Sequence, residues 1–108
     1  MPLHRRHLLA AALASTTPLL ARAQAAYPTR PIKLIVGYSP GGAVDIIARA
    51  VGQALGQALG QPVVVENKPG AGTNIAMRAL IDAAPDGHTL MLTATAIAAN
   101  PSLYQPAP

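Results

Sequence analysis

The 108-residue sequence has no cysteine, no phenylalanine and no tryptophan, and only three tyrosines. Without cysteine the fold has no disulfide staples, and thiolate metal sites are excluded. Without aromatic platforms, single-stranded nucleic acid has little to stack on. Charge is also scarce, at 11% of residues. The formal net charge of +4 misleads, because Arg5, Arg6 and Arg22 all fall in the first 25 residues. Beyond them, Arg30, Lys33, Arg49, Lys68 and Arg78 stand against Asp45, Glu66, Asp82 and Asp86. The excess is a single positive charge, and there is no basic run. A nucleic-acid partner is therefore not expected.

What is present begins with a basic start, His4-Arg5-Arg6-His7, and an apolar run from Leu8 to Leu20. Ala21-Arg22-Ala23 and Ala23-Gln24-Ala25 follow, each small-x-small. This is the layout of a secretory signal peptide cleaved near Ala25. Ser15, Thr16, Thr17 and Pro18 break the run, which is too short to be a good membrane span. The expected organisation is a leader over 1–25 and a mature portion over 26–108. Arg5-Arg6 leaves both general and twin-arginine export open.

Tyr27-Pro28-Thr29-Arg30-Pro31 reads as an extended lead-in, because its prolines disfavour helix. Ile32 to Val36 reads as a strand covered on both faces. Ala43 to Leu59 reads as a helix. Ala43, Ile47, Ala50, Ala54 and Ala58, with Val51 and Leu55, form its apolar side, and Asp45, Arg49, Gln53 and Gln57 its polar side. Gly52, Gly56 and Gly60 leave a smooth ridge suited to close approach to a sheet. Gly60 ends the helix and Pro62 prevents its return. Val63-Val64-Val65 is the second strand. Thr73 or Asn74 can cap a second helix running to about Ala83. Thr89 to Leu92 is the third strand, and Asn100-Pro101-Ser102 can open another helical turn. The order β-α-β-α-β predicts an α/β fold with a parallel sheet, with strand order 2-1-3 if the two helices cover opposite faces. Ligands bind such sheets outside the carboxyl ends of the strands, at the switch point. The loops there are 37–42, 67–73 and 93–98.

Gly37-Tyr38-Ser39-Pro40-Gly41 fits G-x-S-x-G, the nucleophile elbow of serine hydrolases. Formal triad partners exist in Asp82 or Asp86 and His88. Against this, Pro40 follows Ser39 and has no N–H to give an oxyanion hole. Gly70-Ala71-Gly72-Thr73-Asn74-Ile75 begins like a dinucleotide fingerprint but has Ile75 where the third glycine belongs. No Gly-Lys-Ser/Thr follows Gly41-Gly42, so a P-loop is excluded. His88 has no ligand cluster around it and reads as a surface residue of the Asp86-Gly87 turn. No cofactor or metal is expected. Two readings of Gly41-Gly42 remain: a bare-backbone cradle for an anion at the helix amino terminus, or a plain turn. Asp45 opposes an anion there unless its side chain turns back to cap the loop.

Several segments also resemble one known family. YPTRPIKLIVGYSPGGAVDIIAR, GQPVVVENKPGAGTNIA, AAPDGHTLML and NPSLY are similar, in order, to the start of the Bug-type periplasmic receptors of tripartite tricarboxylate transporters. The resemblance runs from about Tyr27 to Tyr104. It implies the first domain of a type II periplasmic-binding-protein fold, a non-enzymatic receptor for a small carboxylate, and membrane transporter components as partners. It implies a first ligand loop at Tyr38, Ser39, Pro40, Gly41 and Gly42, with Asp45 shaping it. Thr93 and Thr95 fall where the third-strand loop lines the cleft. Val44 replaces a common hydroxyl residue, and Thr73 and Ala76 replace common glycines. Members of the family are much longer, so the expectation is an amino-terminal piece. The alternatives are a hydrolase acting through Ser39, or a remnant that neither binds nor catalyses.

Overall fold

The computed structural model describes residues 26–104. The proposed leader, residues 1–25, lies outside the described residues. Three parallel strands form one sheet in the order β2-β1-β3. They are β1 (Ile32–Val36), β2 (Val63–Asn67) and β3 (Thr89–Leu92). The helices are α1 (Ala43–Leu59), α2 (Asn74–Ile81) and α3 (Ala96–Leu103), with a short 3-10 turn at Ala71–Thr73.

The central strand explains the topology. Leu34, Ile35 and Val36 are all buried, so β1 has no solvent face and must lie between neighbours. Ile32 pairs opposite Val63, and Lys33 opposite Thr89. Leu34 and Val36 pack on Ala48 of α1, with Val44, Val63, Val65, Leu90 and Leu92 around them. Alternation sends Ile35 and Gly37 to the other face. There, a side chain on Gly37 would strike Thr73 Cβ at 2.8 Å and Ala76 Cβ at 3.2 Å. The helices α1 and α2 thus cover opposite faces of the sheet.

The face that α1 buries differs from the expected one. Asp45, Ala48 and Gly52 are buried, while Ile46, Ile47 and Val51 are 63%, 54% and 44% exposed. The glycines set this rotation. A Cβ on Gly52 would lie 3.3 Å from Val63 Cγ1, and one on Gly56 3.1 Å from the Gln61 carbonyl oxygen. Close helix–sheet approach needs the small strip inward and turns the larger aliphatics out. The ridge expected of Gly52 and Gly56 is therefore real, but the apolar side assigned beside it is not the buried one. Gly60 ends the helix at φ +73, its N–H bonded to the Gly56 carbonyl at 2.9 Å.

Other boundaries shift. β2 runs on to Asn67, and α2 stops at Ile81 rather than near Ala83. Neither capping side-chain bond at its start is made. Thr73 takes a left-handed conformation, φ +76, and its hydroxyl has no partner among the described residues. α3 begins at Ala96, ahead of the single turn expected near Asn100, and carries Pro101 in its interior.

Candidate functional site

The chain leaves β1 through Gly37 and enters α1 at Ala43. Ser39, Pro40, Gly41 and Gly42 are exposed along this loop, and Tyr38 is half-buried against the core. Gly41 sits at φ +86, a conformation that disfavours any side chain. Gly42 is different. Its φ of −78° and ψ of 171° suit any residue, and a Cβ there would meet only the Ser39 carbonyl, at an ordinary 3.6 Å. Packing within the chain does not require a glycine at 42. The bare backbone faces open space at the end of α1.

Asp45 holds the loop from inside. It is buried and turned back: the Gly41 N–H donates to its Oδ2 at 2.9 Å. Arg49 Nε donates to the same oxygen at 3.0 Å. Asn67 Nδ2, at the end of β2, donates to Asp45 Oδ1 at 2.9 Å and to the Tyr38 carbonyl at 3.0 Å. Arg49 Nη2 closes the ring by donating to Asn67 Oδ1 at 3.2 Å. The Arg49 guanidinium, the Gly41 N–H and the Asn67 amide together hold the Asp45 carboxyl down to about 2. It is therefore ionised at neutral pH, but its charge is paired within the network.

This arrangement leaves the amino end of α1 unused. The first intrahelical bond is from Ile46 N–H to the Gly42 carbonyl, 3.0 Å. The N–H groups of Ala43, Val44 and Asp45 precede it, and no side chain among the described residues caps them. Such amides carry the positive end of the helix dipole.

The other two loops lie beside this one. Lys68 N–H donates to the Val36 carbonyl at 2.8 Å, and the Thr73 methyl packs on Gly37. Asn100, buried in α3, donates through Nδ2 to the Gly72 carbonyl at 2.6 Å and to Asn74 Oδ1. Thr93 is half-buried and Thr95 exposed. The Thr93 hydroxyl donates to the Ala94 carbonyl at a long 3.5 Å. Thr95 stands ahead of α3 and makes no side-chain cap. Arg49, Asn67 and Asn100 were not singled out as site residues, although Asn67 opens one of the three loops expected at this end. Their signal was present only for Arg49, as an i, i+4 partner of Asp45; the asparagines act through contacts 22 to 29 residues apart.

The proposed triad partners of Ser39 lie at the wrong end. The His88 carbonyl accepts from Lys33 N–H at 2.8 Å, beside the start of β1. The five residues of β1 alone put roughly 16 Å between that end and the loop. His88 is not a surface residue as expected. It is 5% exposed, takes the Thr29 N–H on Nε2 at 3.1 Å, and stacks edge-on to Tyr27, centroids 5.0 Å apart. Asp86 pairs with Arg30 at 2.6 Å and accepts the His88 N–H at 3.0 Å. This cluster straps the lead-in segment to the sheet. The hydrolase reading has no support in the geometry.

Residues 47–108, more than half the chain, match the model of the tripartite tricarboxylate transporter family receptor. A UPF0065 protein of Bordetella pertussis is 42% identical over 83 residues, covering 76% of this chain and 26% of that protein. The structure of the periplasmic binding protein BugD is similar with a TM-score of 0.71 and 39% identity, over 73% of this chain and 26% of that one. MatC of Rhodopseudomonas palustris, solved with bound malate, is similar with a TM-score of 0.58 and 40% identity, over 60% of this chain and 22% of that one. The chain spans about a quarter of the length of these relatives. The family model describes a transporter receptor and BugD is a periplasmic binding protein, and the chain belongs to the tripartite tricarboxylate transporter receptor family.

Proposed function

We propose that residues 26–108 form a carboxylate-gripping wall of a periplasmic solute receptor serving a tripartite tricarboxylate transporter. The proposal includes export on a leader over residues 1–25 and docking to the membrane components of the transporter. It involves no covalent step. The ligand class is a small carboxylate, and malate is the first candidate because a relative binds it. One observation carries the reading. The only acidic side chain in the first turn of α1, Asp45, is folded back and charge-paired, so the open amides of Ala43 and Val44 stand at the helix end without an anion of their own. A carboxylate fits there, on bare backbone and at the switch point of the sheet. Ser39, Pro40 and Gly41 shape the loop, while Thr93 and Thr95 offer hydroxyls from the third loop.

The test is a malate titration of the isotope-labelled chain, followed by amide NMR. Saturable shifts centred on Gly42, Ala43 and Val44 are expected. Gly42→Pro keeps a φ near −78° but removes the N–H that closes the turn from Ser39, so it should weaken binding through the loop while the Leu34 and Val36 amides stay protected. Ser39→Ala should cost tenfold or less, about 0.5–1.5 kcal/mol for one hydroxyl hydrogen bond. Covalent labelling of Ser39 by a fluorophosphonate, or an esterase activity lost in Ser39→Ala, would defeat this reading.

A further inference from the structure

The receptor reading needs the 37–42 loop to present its amides in a fixed shape before any ligand arrives, because preorganised donors bind without an ordering cost. Local sequence supplies the bend, through Pro40 and a left-handed Gly41 at φ +86, but not its attachment to the sheet. The turn at Ser39-Pro40 is exposed, and no side chain within 37–42 bonds across it among the described residues. The restraint comes from two points, the Tyr38 carbonyl on one side of the turn and the Gly41 N–H on the other. Asn67 holds the first directly and the second through Asp45.

We propose that Asn67 is the positioning residue of this site. Its side-chain amide, at the end of β2, clamps the ligand loop from Tyr38 to Gly41 and orients the Asp45 carboxylate that completes the clamp. The proposal rests on the receptor reading for its functional consequence, but the clamp can be observed without a ligand.

The chemistry singles out a primary amide. Two donations leave Nδ2, toward the Tyr38 carbonyl and Asp45 Oδ1, and one bond enters Oδ1 from Arg49. A primary amide offers two N–H donors and a carbonyl acceptor in one plane. A carboxylate has the same shape and no donor. A carboxylate at position 67 would place oxygens about 3 Å from the Tyr38 carbonyl and from Asp45 with no proton between them. The charged groups facing the position are Asp45 and Arg49, with Lys68 next in the chain and bound to Glu66 at 2.8 Å. Like charge so close to Asp45 raises the affinity of the introduced carboxyl for a proton. Acidification then restores one donor.

The test is the Asn67→Asp variant of the 108-residue chain beside wild type and Asn67→Ala. Malate is titrated at pH 7.5 and at pH 5, and the amide resonances of Gly41 and Gly42 are recorded without ligand. Wild type at each pH corrects for ionisation of malate itself. At pH 7.5 both variants should bind at least tenfold more weakly, with the Leu34 and Val36 amides still protected. At pH 5 the deficit of Asn67→Asp should shrink at least threefold and its Gly41 and Gly42 resonances move back toward wild type, while Asn67→Ala shows no such recovery. Binding within twofold of wild type in either folded variant would overturn the proposal, as would a deficit in Asn67→Asp that acid does not relieve. If Asn67→Asp does not fold, Asn67→Ala alone decides by the same tenfold and twofold limits. If wild type binds no malate, the receptor reading is what fails. The clamp then stands or falls on whether the Gly41 and Gly42 resonances shift in Asn67→Asp and return on acidification.

Discussion

Asp45 shows how one side chain settles an ambiguity that composition leaves open. An acid in the first turn of a helix can repel an incoming anion or cap the preceding loop. Burial and three donors decide for the cap. The consequence for pH has a definite sign. Its folded value of about 2 lies below the ordinary 3.8, so the ionised form contributes stability above about pH 4, and that contribution is lost as pH falls toward 2. Glu66 and Asp86 are shifted in the same direction, by Lys68 and Lys33 for the first and by the His88 N–H and Arg30 for the second. They add to the loss in acid. Asp45→Asn should therefore be less stable than wild type at pH 7, with the gap closing between pH 4 and pH 2. Urea unfolding at a series of pH values measures this; a gap that stays constant across the range would contradict it. His88 makes the complementary point at the other end of the sheet. His88→Ala would leave the exposed Thr29 N–H without its acceptor, at a cost of about 0.5–1.5 kcal/mol. Hydrogen exchange should show the loss first at residues 27–30.

At the scale of elements, the strands were legible because β1 is an unbroken apolar run between turn residues, and its β-α-β-α-β context leaves few topologies. The order β2-β1-β3 follows once the two helices cover opposite faces, as α1 and α2 do. The orientation of α1 was not legible. Ile46, Ile47 and Val51 are the most apolar residues near its start, yet they face out, because Gly52 and Gly56 let the backbone come within side-chain distance of β2. Hydrophobic periodicity counts apolar side chains, and here the inward face is defined by missing ones. The helix α3 was foreshortened in the sequence reading for a related reason: Pro101 removes an interior hydrogen bond, and only the distant contacts of Asn100 show why the segment docks. The ligand loop was legible as a bare-backbone turn; its clamp was not, since Asn67 lies on another strand. A substitution series checks the account of α1. Gly52→Leu should cost about 1–3 kcal/mol by overpacking against Val63 and Val65, whereas Ile47→Gln should change stability by about 0.5 kcal/mol or less. The midpoint of urea unfolding gives both values, and a costly Ile47→Gln would mean that the outward face is in fact covered.

For the molecule as a whole, the fold presents a small core and a large apolar surface. Only Ile32, Leu34, Ile35, Val36, Ala48 and Ala76 are buried hydrophobics among the described residues, and Ile32, Ile35 and Val36 are the largest side chains fully enclosed. Against this, Val64, Ile75 and Ile81 are each more than half exposed, together with Ile46 and Ile47. Each ordered residue costs about 1–2 kcal/mol of conformational entropy, so a core this size leaves little net stability, and no disulfide adds to it. Both outer strands, β2 and β3, are sheet edges among the described residues, and unpaired edges recruit other chains. The relatives are about three times as long, and a longer chain has residues with which to cover such surfaces. The expected behaviour of the 108-residue chain is therefore a low-stability fold that associates as its concentration rises. Thermal unfolding followed by circular dichroism, with sedimentation at several concentrations, tests both parts. A transition below roughly 60 °C, inside the usual mesophile range, and a growing associated fraction are the expected outcomes. A cooperative transition above that temperature from a strictly monomeric chain would show that the exposed aliphatics are not a liability, and that three strands and three helices are sufficient on their own.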